Sequence, residues 1–149
     1  MCLEINGRPK KILKYPNSRL RVPSEKCEFS ENLIKLIANM KETMMKNGGV
    51  GLAAIQIGVP RQVFIAYDNI FINPELIIED ETQIYSVEGC LSLPNNLQRK
   101  VKRFQKISVR YTTERGEQEL KEFDGQEACV IQHEFDHLKG VLIIDKDNQ

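Results

Sequence analysis

At 149 residues the chain is the size of one domain and long enough to bury a core without staples. Its 21 lysines and arginines balance 21 aspartates and glutamates, so no global field draws it to DNA or to an anionic membrane. Residues 1–20 carry Arg8, Lys10, Lys11, Lys14 and Arg19 and no apolar run of signal or membrane length, which predicts a soluble, cytoplasmic protein; Cys2, Cys27, Cys90 and Cys129 are then expected as free thiols or ligands.

In chain order, the first predicted helix starts after Ser30, a good N-cap, with Phe29 and Ile34 spaced as a hydrophobic staple, and stops at Gly48-Gly49. Leu33, Ile37, Met40 and Met44 recur at helical spacing and should face a core. Short β-rich segments follow at Gln62–Ala66, Ile70–Ile72 and Glu75–Glu79. Ile107–Thr112 and Glu117–Phe123 read as a hairpin turning at Arg115-Gly116. A second helix is expected over Gly125–Lys139, with Asp124 and Glu127 spaced as a capping box and Gly140 as its stop. Nothing resembling a linker or repeat divides the chain. The expectation is an α+β fold, one domain over residues 1–149, with short antiparallel strands around the second helix.

That second helix contains His133-Glu134-Phe135-Asp136-His137. Two imidazoles four residues apart share a helical face and can bind one metal ion, and Glu134 can reach a water on it. A hydrolytic metal needs a third protein ligand. The chain has two histidines and twelve residues beyond His137, so neither a third histidine nor a glutamate about twenty residues downstream can serve. An upstream ligand is required. Cys129 sits roughly 9 Å along the helix axis from the midpoint of the histidines, too far for a thiolate bond of about 2.3 Å. Cys90, in Glu88-Gly89-Cys90-Leu91-Ser92-Leu93-Pro94, is held between a glycine and a proline and is better placed, although that segment alone reads better as a buried free thiol. Gly49-Val50-Gly51-Leu52-Ala53-Ala54-Ile55-Gln56 combines close-approach glycines with one amide and lacks the lysine of a phosphate loop. Cysteine with two histidines would suit zinc.

Together GVGLAAIQ, EGCLS and QHEFDHLKG resemble, in order and spacing, the signature of the peptide deformylase family. The likeness extends to Ile12-Leu13-Lys14-Tyr15-Pro16 and Phe71-Ile72-Asn73-Pro74 and so spans almost the whole chain. It implies an enzyme that removes the formyl group from the N-terminal formylmethionine of nascent proteins. It makes Cys90, His133 and His137 the ligands of one divalent ion, Fe(II) in most of the family, with Zn, Ni or Co also accepted. Glu134 becomes the general base and acid, and Gln56 and the Leu91 N–H donors to the formyl oxygen. The methionine pocket is expected from Val50 and Gly51 by resemblance, and from Cys129 and Val130 by their place one turn before His133. A similar family arginine pairs with the glutamate before the cysteine, which here joins Arg103 to Glu88.

The sequence departs from the family in three places. Nine residues follow Gly140, where bacterial members continue into a helix implicated in ribosome docking; the expectation is a trimmed member, as from a phage, with ribosome contact in question. Asn95-Asn96 stand where a glycine is common, and the Tyr67-Asp68-Asn69 connection is short. Two rival functions remain: a metallopeptidase acting on ordinary peptide bonds, and a ribosome- or RNA-associated binding protein using Arg99-Lys100-Val101-Lys102-Arg103. A solvated strand edge is the plainer description of that basic run.

Overall fold

The computed structural model describes residues 6–146 and shows an α+β fold. A five-stranded antiparallel sheet is built from β1 (Gly51–Ala53), β2 (Val63–Ala66), β3 (Asn69–Ile77), β6 (Lys106–Thr112) and β7 (Gln118–Asp124), in that spatial order. A separate ribbon pairs β4 (Gln83–Gly89) with β5 (Gln98–Phe104). Helix α1 (Glu31–Lys46) covers one face of the larger sheet and α2 (Gly125–His137) the other.

This sandwich explains why β2 is apolar at every position. Phe64 and Ala66 join Phe71, Ile107, Val109, Ala128 and Ile131 on the α2 side, whereas Val63 and Ile65 join Leu33, Ile37, Met40 and Ile72 on the α1 side. Strand alternation thus supplies both cores from one short segment. The α1 stripe is as expected, with Leu33, Ile37 and Met40 buried and Met44 packed at its margin. The Ser30 side chain accepts from the Leu33 N–H at 3.2 Å. Phe29 and Ile34 both stay partly exposed, and the Phe29 ring lies over the Gly116 turn.

Three local expectations need correction. The segments predicted separately around Asn73 form one strand, β3, whose register shifts between Ile72 and Glu75 where Asn73 adopts a positive φ of 49°. Asp124 does not cap α2 with its side chain. It is the last residue of β7, still paired with Lys106, and Gly125 at φ 59° turns the chain into the helix within one residue. Of the β4–β5 ribbon only the basic run in β5 is legible in the sequence, because charged residues interrupt its apolar pattern.

Gly140 stops α2 as expected: its φ is 74°, and a Cβ there would lie 2.8 Å from the Arg21 carbonyl carbon. Cys2 lies outside the described residues. Among those described, Cys27, Cys90 and Cys129 are free thiols and no helix is long and apolar enough to cross a membrane.

Candidate active site

The inner side of α2 faces the mouth of the β4–β5 ribbon, and the loop after β4 carries Cys90 to it. Cys90, His133 and His137 each bring one possible ligand atom to within 4.8 Å of the others. Cys90 Sγ lies 3.5 Å from His137 Nε2, and the two imidazole rings are 5.1 Å apart between centroids. Cys129, by contrast, is outside this cluster and buried in the wall of the adjoining cavity.

Orientation comes from a buried charge network behind the histidines. Glu88 accepts from Arg103 Nη2 at 2.7 Å and Nε at 2.9 Å, while Arg103 Nη1 donates to Asp136 at 2.7 Å. Glu88 Oε1 also lies 2.9 Å from His133 Nδ1. An ionised carboxylate can only accept, so Nδ1 carries the proton and Nε2 is the nitrogen available to a ligand. Burial would raise the Glu88 carboxyl, but the hydrogen bonds and charges of Arg103 and His133 prevail and hold it at about 2. Burial works against a charged His133, yet Cys90, Glu88 and Glu134 together raise it to about 10, so Nε2 holds a proton that a metal ion taken up there would have to displace.

His137 is driven the other way. Complete burial, and then the neighbouring positive charges of His133 and Arg103, hold it well below the ordinary imidazole range, so it stands as a neutral donor of a lone pair. Glu134 is raised to about 7, chiefly by burial. Its Oε1 and His137 Nδ1 are buried without a hydrogen-bond partner among the described residues. A thiolate with two imidazoles is a donor set for borderline divalent ions, and these residues fit one.

Gln56 is fixed by its own carbonyl end, where Oε1 accepts from the Ala53 N–H at 2.9 Å. Its Nε2 is thereby turned toward Ser92 Oγ at 3.1 Å and Cys90 Sγ at 3.6 Å. Gly51 makes room for the Glu134 side chain: a Cβ built there would come 2.9 Å from Glu134 Cδ. A cavity of about 470 Å³ opens here, lined by Val50, Gly51, Gln56, Cys90, Leu91, Cys129, Val130, His133 and Glu134. Val50 sits at its rim, 54% exposed, and Cys129 and Val130 are buried in its wall. Every residue predicted for the site except His137 therefore lines this cavity, and His137 is buried against Cys90 behind it.

Several contributors went unnoticed in the sequence. Ser86 and Gln126 line the cavity, and Asp136 completes the Arg103 network. The Leu13–Tyr15 segment laces the two site loops together: the Leu13 N–H donates to the Gln56 carbonyl at 2.7 Å and the Tyr15 N–H to Ser92 at 2.7 Å. Lys14 Nζ donates to the Leu91 carbonyl at 2.5 Å. That segment belongs to the family likeness, but its partners, 40 to 80 positions away, carry no local signal. Asn95 and Asn96 hold φ of 57° and 53°, a left-handed geometry that asparagine tolerates in glycine's stead. In the basic run, Val101 and Arg103 point inward and are buried, leaving Lys100 and Lys102 outside.

Comparison with known proteins agrees with this geometry. Residues 9–149 match the family model for polypeptide deformylase. The peptide deformylase of Pseudothermotoga lettingae is 43% identical over 140 residues, covering 91% of this chain and 81% of that protein. That of Aquifex aeolicus is 42% identical over 146 residues, covering 91% and 85%. Among solved structures, Thermotoga maritima peptide deformylase superposes with a TM-score of 0.90 at 39% identity, over 95% of this chain and 99% of that one. The Plasmodium falciparum enzyme, in complex with an inhibitor, gives 0.88 at 37%, over 93% and 90%. The chain thus belongs to the polypeptide deformylase family, and is a metal-dependent hydrolase that removes the formyl group from the N-terminal formylmethionine of newly made proteins.

Proposed function

We propose that Cys90, His133 and His137 hold one divalent ion, Fe(II) in the native enzyme, with Glu134, Gln56 and the Leu91 N–H as the catalytic groups around it. The observation that carries this reading is the convergence of three ligand atoms within 4.8 Å beside a buried carboxyl held near neutrality. A bound ion would supply Lewis-acid activation of a water molecule and of the formyl carbonyl.

The protein's own groups move the protons and hold the charge. Glu134 takes a proton from the attacking water as the C–O bond forms, and its buried position matches its affinity to both directions of transfer. Gln56 Nε2 and the Leu91 N–H donate to the formyl oxygen as negative charge gathers there. Glu134 then gives its proton to the amine nitrogen as the C–N bond breaks, leaving formate and a free N-terminus. Val50, Gly51, Cys129 and Val130 form the pocket for the methionine side chain. One domain over residues 1–149 carries the whole reaction, in the cytoplasm where formylated chains are made.

Formate release from formyl-Met-Ala-Ser, measured beside amine release from the unformylated peptide, tests the assignment. Formate alone is expected. Cleavage of the unformylated peptide would point to an ordinary peptidase, and silence with full metal content would overturn the catalytic roles.

A further inference from the structure

The β4–β5 ribbon has an outer face that the reaction chemistry does not use. Alternation sends Glu88 and Arg103 inward toward α2 and leaves Tyr85, Val87, Lys100 and Lys102 outside. Tyr85 is opposite Lys102 and Val87 opposite Lys100. Tyr85 and Val87 are 50% and 65% exposed. The Lys100 and Lys102 ammonium groups lie 4.4 and 5.6 Å from the centre of the Tyr85 ring, so both cations reach back across the ribbon toward β4. Among the described residues, neither lysine has a carboxylate partner.

This face is continuous with the formyl site. Val87, Gly89 and Gln98 line the same cavity as Cys90 and Glu134. Among the described strands β4 pairs with β5 alone, so its other edge is open to an extended peptide. At about 3.3 Å per residue, Val87 and Tyr85 lie roughly 10 and 16 Å back along the strand from Cys90. A chain with its formyl group at Cys90 would draw level with Tyr85 at about its fourth or fifth residue.

We propose that the outer face of the β4–β5 ribbon, with the Lys100 and Lys102 ammonium groups gathered over Tyr85, is a second binding surface for the substrate chain, selecting acidic side chains near its fourth and fifth residues. A single-stranded nucleic acid could also meet two lysines and an aromatic ring. Continuity with the cavity that receives the formylated end favours the peptide. The inference rests on the deformylase reading and extends it to the substrate's downstream residues.

The test compares kcat/KM for formyl-Met-Ala-Ser with that for two seven-residue formyl-Met peptides, one with glutamates and one with lysines at the fourth and fifth positions. Exposed ion pairs contribute about two- to fivefold each, so the acidic peptide should be preferred by about tenfold at low ionic strength. That preference should fade at high salt. The double variant Lys100→Glu/Lys102→Glu should invert it while turning over the tripeptide at the original rate. Equal rates for the two long peptides, or a preference that the double variant keeps, would overturn the proposal. So would loss of affinity for a single-stranded RNA oligonucleotide in the variant with peptide preference unchanged. No turnover of the tripeptide by the parent enzyme would sink the deformylase reading itself, and this surface with it.

Discussion

Glu88→Gln removes the one charge that Arg103 and His133 share. Arg103 is 3% exposed and donates to both Glu88 oxygens, so the substitution leaves a buried guanidinium with Asp136 as its remaining anion. The Glu88 carboxyl lies at about 2 in the fold against an ordinary 4.5. At about 1.4 kcal/mol per pH unit, that gap corresponds to about 3 kcal/mol of stability. Because the folded value is the lower one, this stability is complete above pH 4.5 and is lost as pH falls toward 2. Breaking a buried pair from one side costs a similar ~3 kcal/mol. The chain has no tryptophan, so urea unfolding is best followed by far-UV circular dichroism, with chelator present to keep metal loss out of the comparison. At neutral pH the variant should be less stable by about 3 kcal/mol, and the two proteins should converge as the solution is acidified. A deficit under about 1 kcal/mol, or one that does not narrow with acid, would refute the reasoning.

Glu134→Gln should keep its metal by elemental analysis while turnover falls by about a hundredfold or more, because the amide preserves shape and cannot carry the proton; near-normal rates would remove Glu134 from its role. Cys90→Ser should lose iron or hold it in an inactive form, a hydroxyl being the poorer soft ligand, and Cys129→Ser should not; the reverse result would reassign the thiol. Gly51→Ala places a methyl group against the Glu134 carboxyl and should cut kcat by about tenfold or more with metal content intact. Unchanged kcat would mean that Glu134 has room to relocate. In air the iron form should decay faster than a nickel form, since both Fe(II) and the Cys90 thiolate are open to oxidation; equal half-lives would show that oxidation at the metal is not limiting.

The parts of the site legible in the sequence were those held by local geometry. His133, Glu134 and His137 follow from helical spacing alone, and the axial rise of that helix separates Cys129 from the proposed ligand set. Cys90 was less secure, since its partners lie 43 and 47 positions away and only the combined motifs singled it out. The α1 stripe and the β6–β7 hairpin were readable because each obeys one period. The β4–β5 ribbon was not, because Glu88 and Arg103 occupy inward positions that a pattern search expects to be apolar. Burial of that pair is a tertiary matter: it depends on α2 bringing His133 and Asp136 to meet it.

The separation in sequence between these partners has a kinetic consequence. Tyr15 pairs with Ser92, Cys90 approaches His137, and Arg21 donates to Gly140 across 119 positions, so the loops that close around the site are long. A chain translated only as far as β5 already contains Cys90, Glu88 and Arg103, but none of His133, Asp136 or His137. Until α2 emerges and docks, such an intermediate holds one thiol of the proposed ligand set and neither imidazole. With the proposed ligands, metal acquisition would be a late event in maturation, and a measured rate of ion uptake during refolding would serve as a clock for the docking of the last helix.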